Sequence, residues 1–151
     1  MLEYREYQKG DIESIRGKLR YFDALTFQNG TNVILDLVTD SRITGAAITL
    51  TENGEPFACG AVIRLWEGVG EAYAWTTPNI ENHKKWFCEK SQDFIDAMWD
   101  ELGLSRLQCT VLAGHDKSVK WLERMGFEQE GLMRCYGRAG EDCIRMARVR
   151  S

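Results

Sequence analysis

The tetrapeptide Glu52-Asn53-Gly54-Glu55 lies between two β-prone apolar runs, Ile43 to Thr51 and Phe57 to Trp66. Asn-Gly tolerates the two successive positive φ angles of a two-residue hairpin, so it fixes an antiparallel pair and its register. Register in turn decides which alternate side chains face a core. Gly68-Val69-Gly70 makes the next turn, and Glu71 to Thr76 extends the pair into a three-stranded meander. A chain containing this unit must bury the apolar side of a sheet against something else, and helices are the economical cover.

The remaining segments supply them. Leu2 to Tyr7 reads as a strand, and Gly10-Asp11 opens a helix with Ile12, Ile15 and Leu19 on one face. Gln28-Asn29-Gly30 is a turn, after which Val33, Ile34, Leu37 and Val38 recur at helical spacing. Pro78 stops the third meander strand. Lys84 to Leu102 then places Phe87, Phe94, Ile95, Met98, Trp99 and Leu102 on one stripe, and Gly103 ends this long amphipathic helix. Arg106 to Ala113 is an apolar strand, and Asp116 to Met125 a helix with Val119, Leu122 and Met125 inward. Gly131 to Tyr136 and Asp142 to Val149 flank Gly137-Arg138-Ala139-Gly140 as a closing hairpin. The order β-α-α-β-β-β-α-β-α-β-β predicts one α/β (α+β) domain over residues 1–151. Its sheet is mixed, mostly antiparallel, with helices on both faces. No G-x-G-x-x-G follows the first strand, so a dinucleotide fold is excluded.

Composition removes several function classes. The net charge of −4 gives no global reason for nucleic acid or an anionic membrane as a partner. The balance is uneven: from Arg134 onward five arginines face only Glu141 and Asp142, +3, which leaves −7 for the rest. That basic tail is either a charged guard on a strand edge or a phosphate-binding patch. The five cysteines, Cys59, Cys88, Cys109, Cys135 and Cys143, form no C-x-x-C pair, and most sit among apolar residues, as buried thiols of a reducing compartment do. With only His83 and His115 beside them, no metal site is expected. The opening MLEYREYQKGDIES has no apolar core of a signal peptide, and no apolar run reaches membrane-spanning length. A cytoplasmic protein is expected.

The segment Leu107 to Gly131, LQCTVLAGHDKSVKWLERMGFEQEG, joins a strand, a turn, a short helix and Met-Gly-Phe. It resembles the second half of the acetyl-CoA site of the GNAT N-acetyltransferases. The closing GLMRCYGRAGEDCIRMARV is similar to the last two strands of N-terminal and ribosomal-protein acetyltransferases, and the likeness runs over Ala58 to Val149. The resemblance implies a GNAT-like acyl-CoA N-acyltransferase fold, acetyl-CoA as co-substrate, and an amine acceptor, either a small molecule or a peptide. It also implies that the strands Glu71–Thr76 and Arg106–Ala113 splay to admit the pantetheine arm, and that domains pair as a homodimer through the last strands.

Two departures accompany the likeness. Family members carry R/Q-x-x-G-x-G/A after the fourth strand, where backbone N–H groups cradle the pyrophosphate. Here Thr76-Thr77-Pro78-Asn79-Ile80-Glu81-Asn82-His83-Lys84-Lys85-Trp86 contains no glycine, and Glu81 falls where the Arg or Gln belongs. The resemblance puts Trp75, Thr76, Thr77, Lys84 and Lys85 along the cofactor, with His115 and Ser118 at the next helix start. Lys84 and Lys85 are either point charges for phosphate or a solvated face. Trp75 and Trp86 either wall a pocket or pack in the core. The family's Asn-x-x-Ala-x-x-x-Tyr ahead of Gly-Phe becomes His115, Ser118 and Leu122, and leucine donates no proton to a departing thiolate.

The catalytic candidates are therefore Tyr136 as acid, Glu71 as base for the amine, and His115 as a second titratable group. Each has a plainer role: a strand aromatic beside a turn, a strand carboxylate one residue out of register, and part of a helix cap completed by Asp116. Two functions are expected to compete: a divergent acetyl-CoA-dependent N-acetyltransferase, and a non-catalytic scaffold on the same fold. The glycine-free segment also resembles acyltransferase-like proteins of tailed bacteriophages. The scaffold would accordingly be a virion or assembly protein with phage or host proteins as partners, found in host cytoplasm or virion.

Overall fold

A computed structural model describes residues 1–20 and 31–151, the side chains of 31–33 excepted. The turn expected at Gln28-Asn29-Gly30 lies outside the described residues. Strand β1 (Leu2–Glu6) leads to helix α1 (Asp11–Ile15), a 3-10 turn at Arg16–Lys18 and helix α2 (Thr31–Thr39). The meander follows as β2 (Gly45–Glu52), β3 (Glu55–Trp66) and β4 (Val69–Thr76). A second 3-10 turn (Pro78–Asn82) precedes α3 (Lys84–Glu101), then β5 (Arg106–Leu112), α4 (Asp116–Arg124), β6 (Glu128–Met133) and β7 (Cys143–Val149). The element order is the one expected. The Pro78–Asn82 turn was not anticipated, and β6 starts three residues earlier than the glycine at 131 suggested.

All seven strands form one sheet in the order β1-β2-β3-β4-β5-β7-β6. Every neighbouring pair is antiparallel except β4–β5, which is parallel and needs the α3 crossover. At the β2–β3 turn Asn53 has φ 52° and Gly54 φ 84°, the two left-handed residues that match the right-handed twist of the flanking strands. Alternation along β3 divides the core in two. Cys59, Ala61 and Ile63 join Tyr7, Ile12, Ile15, Leu35 and Trp75 beneath α1 and α2. Val62 joins Phe94, Ile95, Met98, Leu107, Leu122, Phe127 and Met146 beneath α3 and α4. Helix α4 ends at Gly126, whose φ of 93° turns the chain so that the Phe127 N–H reaches the Leu122 carbonyl at 3.0 Å. Met-Gly-Phe is thus a helix stop that delivers a fully buried aromatic.

Helix α1 is anchored by a single carboxylate. Asp11 accepts two hydrogen bonds from Arg5 of β1 (2.8 and 3.0 Å), one from the Gln8 N–H (2.8 Å) and one from the Thr49 hydroxyl of β2 (2.7 Å). Burial alone would raise its pKa; the Arg5, Gln8 and Thr49 donors outweigh burial and hold it below the usual carboxylate range. No helix among the described residues is long and apolar enough to cross a membrane.

Candidate active site

Strands β4 and β5 pair only at Val69↔Arg106, Gly70↔Leu107 and Glu71↔Gln108. Beyond Glu71, β4 follows β3 as far as Thr76, while β5 follows β7 as far as Leu112. The two strands therefore part, as the resemblance implied. A mostly apolar cavity of about 570 Å³ fills the gap. Its wall takes Phe87 and Phe94 from α3, Leu122 from α4, and Ile34 from α2, so the gap is reached from both helical layers. Neither candidate tryptophan plugs it. Trp75 is buried under the α1–α2 layer, stacked on Tyr73 with centroids 5.7 Å apart and 9° between planes, and forms wall rather than stopper. Trp86 packs on Phe57 at 6.4 Å. The ring that borders the cavity from α4 is Trp121, 5.1 Å from Phe87. Two buried polar atoms belonging to lining residues have no partner, Trp121 Nε1 and Thr110 Oγ1. An unpartnered buried donor costs about 1–3 kcal/mol, a cost that a ligand bearing carbonyl groups would relieve.

One end of the cavity is cationic. Arg20, Lys84 and Lys117 surround the Glu81 carboxylate at 3.7, 2.9 and 3.6 Å, and all four line the opening. The Lys84 hydrogen bond, with help from Lys117 and Arg20, holds the Glu81 pKa below its usual range. Three of the backbone N–H groups around it are committed elsewhere. Thr77 directs its N–H (3.1 Å) and its hydroxyl (2.8 Å) at the Phe57 carbonyl. The Ile80 and His83 N–H groups close the 3-10 turn on Thr77 and Ile80 carbonyls. Lys85 is exposed and is not among the lining residues, whereas Thr76 lines the cavity and is buried.

His115 sits at the same end, 9% exposed, at the start of α4. Its Nε2 lies 3.2 Å from Arg20 Nη2 and 3.0 Å from Ser118 Oγ. A guanidinium only donates, so the Arg20 contact turns the imidazole lone pair toward it and leaves the ring proton on Nδ1. This joins His115 and Ser118, singled out by the resemblance, to Arg20, which comes from 95 residues away in sequence.

The other end carries Glu71, Tyr73, Tyr136 and Glu141. Glu71, with its side chain only 14% exposed, accepts from Gln108 Nε2 at 2.8 Å and is ion-paired with Arg145 at 3.3 Å. It stands at the last β4–β5 pair, where the strands begin to part. Burial pushes the Tyr73 phenol up to about 12, and nearby Glu71 and Tyr136 push it the same way. Tyr136 is 55% exposed on the β6–β7 connection. Burial likewise raises the Cys59 and Cys109 thiols to about 12, so neither is a ready nucleophile. Among the described residues, no group of three or more His, Cys, Asp or Glu is placed to hold a metal ion.

Sequence reasoning passed over Tyr73 and Arg20. Alternation along β4 puts Tyr73 on the same face as Glu71 and Trp75, a readable signal. Arg20 left none, because only the folded chain brings it beside His115.

No protein-family model and no curated protein matches this sequence. Solved structures do. A ribosomal-protein-alanine N-acetyltransferase from Brucella melitensis aligns over 97% of this chain and 99% of its own, with TM-score 0.72 and 15% identity. The ribosomal-protein-S18-alanine N-acetyltransferase of Escherichia coli covers 100% and 95% at TM-score 0.68 and 18% identity. Spermidine N-acetyltransferase from Vibrio cholerae, solved with CoA and spermine, covers 99% and 95% at TM-score 0.71 and 16% identity. With its seven-stranded mixed sheet parted between β4 and β5, this chain has the fold of the GNAT N-acetyltransferases.

Proposed function

We propose that this protein transfers an acetyl group from acetyl-CoA to an amine, either on a small molecule or on a peptide. The observation that carries the proposal is the cavity between the parted strands, which is open and has two chemically different ends. At the cationic end Arg20, Lys84 and Lys117 would hold phosphates as point charges. The unpartnered Trp121 Nε1–H and Thr110 hydroxyl suit the amide groups of a pantetheine arm. Bound there, acetyl-CoA supplies an acyl carbon already activated as a thioester.

At the opposite end Glu71 is held in one place by Gln108 and Arg145, and its carboxylate is positioned to take a proton from an incoming ammonium, directly or through water. Tyr136 offers the phenol that Leu122 cannot provide, and it lies near Tyr73 and Glu71 rather than on α4. His115, with Arg20 and Ser118, fixes the start of α4 beside the cavity.

Calorimetric titration with acetyl-CoA, followed by thiol release with a panel of diamines, amino acids and alanine-starting peptides, tests this. Binding in the micromolar range and turnover of at least one amine are expected. No heat at millimolar acetyl-CoA would refute it. That result would turn attention to the scaffold reading, including a phage virion or assembly role, which draws on Leu122 and the glycine-free segment after Trp75.

A further inference from the structure

We propose that Glu81 is a built-in occupant of an anion site made by Arg20, Lys84 and Lys117, and that the phosphates of the donor displace it; this rests on the acetyl-CoA reading for the identity of the donor. The three cations come from separate parts of the chain: the segment after α1, the first residue of α3 and the first turn of α4. Only Lys84, three residues along at the start of α3, reaches Glu81 at hydrogen-bond distance, 2.9 Å. Arg20 at 3.7 Å and Lys117 at 3.6 Å are drawn toward the carboxylate without closing on it.

The Glu81 carboxylate, with two oxygens on one carbon, closes on only one of three cations that approach from separate elements. A diphosphate has more oxygens, more charge and a longer reach, so it can meet all three donors at once. Of the backbone donors beside Glu81, the Thr77, Ile80 and His83 N–H groups are already spent on carbonyls. The cationic side chains add to whatever the backbone offers a phosphate, and Glu81 keeps them gathered when no phosphate is present. The Glu81 side chain is 37% exposed, so it has room to swing into solvent when replaced.

The test is Glu81→Gln, which keeps shape and removes charge, read by calorimetry with inorganic pyrophosphate and separately with acetyl-CoA. Pyrophosphate and acetyl-CoA should each bind about two- to tenfold more tightly to the variant, the size expected when one partly exposed charge interaction is removed. Lys117→Met should weaken pyrophosphate in both backgrounds. Unchanged or weaker pyrophosphate binding in Glu81→Gln overturns the proposal, since Glu81 would then organise the cations without competing. Absence of pyrophosphate binding to both proteins at millimolar concentration overturns it too. If pyrophosphate tightens while acetyl-CoA binds neither protein, the anion site stands and the acetyltransferase reading falls. Thermal melting of the variant confirms that the comparison is made on folded protein.

Discussion

Replacing Asp11 by Asn should unfasten α1 from the sheet, and the size of the loss can be worked from its contacts. The side chain is 9% exposed and accepts four hydrogen bonds, two of them from the Arg5 guanidinium. Asn keeps one acceptor oxygen and turns an NH2 group against donors, so at least two of the four bonds are lost. Charge-assisted bonds contribute about 1.5–3 kcal/mol each and neutral ones about 1. Arg5 is 29% exposed and regains water, which offsets part of this. Thr49, fully buried, has only the distant Cys59 thiol at 3.7 Å to turn to. The net expectation is a loss of about 2–4 kcal/mol, a large share of the roughly 5–15 kcal/mol available to such a domain. Urea unfolding followed by tryptophan fluorescence should show a lower midpoint with an unchanged slope.

The sign of the pH effect gives a second reading of the same variant. Asp11 is depressed in the folded protein, so its ionised form contributes stability above the unfolded value near 3.9, and that contribution is lost as pH falls through the lower folded pKa. Wild type should lose this increment in acid, whereas Asp11→Asn should not, and the two stability curves should converge below about pH 4. A loss under about 0.5 kcal/mol at pH 7, or parallel acid limbs, would refute the anchoring role.

Three further outcomes are expected. Cys88→Trp, at a half-buried cavity position on α3, should reduce acetyl-CoA affinity by at least about tenfold while shifting the melting temperature by only a few degrees, measured by calorimetry and thermal melting. Tyr136→Phe removes a hydroxyl from an exposed ring, so stability should hold while kcat falls by about 10²-fold in steady-state thiol release. Glu71→Gln should lower kcat/KM for the amine by a similar factor of about 10² and leave the acetyl-CoA dissociation constant within about twofold.

The fold was legible because its strongest signals are local. Asn53-Gly54, Pro78, Gly103 and Gly126 each act through their own backbone geometry, and the apolar periods between them are long. The candidate site was legible only in part. Glu71, Lys84, His115 and Ser118 were within reach because positions could be counted from Pro78 and from Gly126-Phe127. Arg20 could not be found that way, since its contacts to Glu81 and His115 are with residues distant in sequence. Nor does spacing disclose that Thr77 spends its donors on Phe57, or that Glu71 faces Gln108 and Arg145. Those are facts of register across strands. The early start of β6 was hidden because Glu128, Gln129 and Glu130 are polar and read as loop, although an exposed edge strand has no need of apolar residues.

The three-pair seam between β4 and β5 gives the sheet an edge in its own interior. From Ala72 to Trp75 the backbone of β4 has β3 on one flank and no paired strand, among the described residues, on the other. On the rim of a sheet, such a flank recruits other polypeptide chains and invites aggregation. Here Phe87 of α3 and Trp121 of α4, with ring centroids 5.1 Å apart, line the cavity along that flank. The proposed donor would bring a thin, flexible, hydrogen-bonding arm to that flank instead of a strand. The same crease that would be a hazard on the rim lies inside the sheet, where it opens on a cavity rather than on another chain.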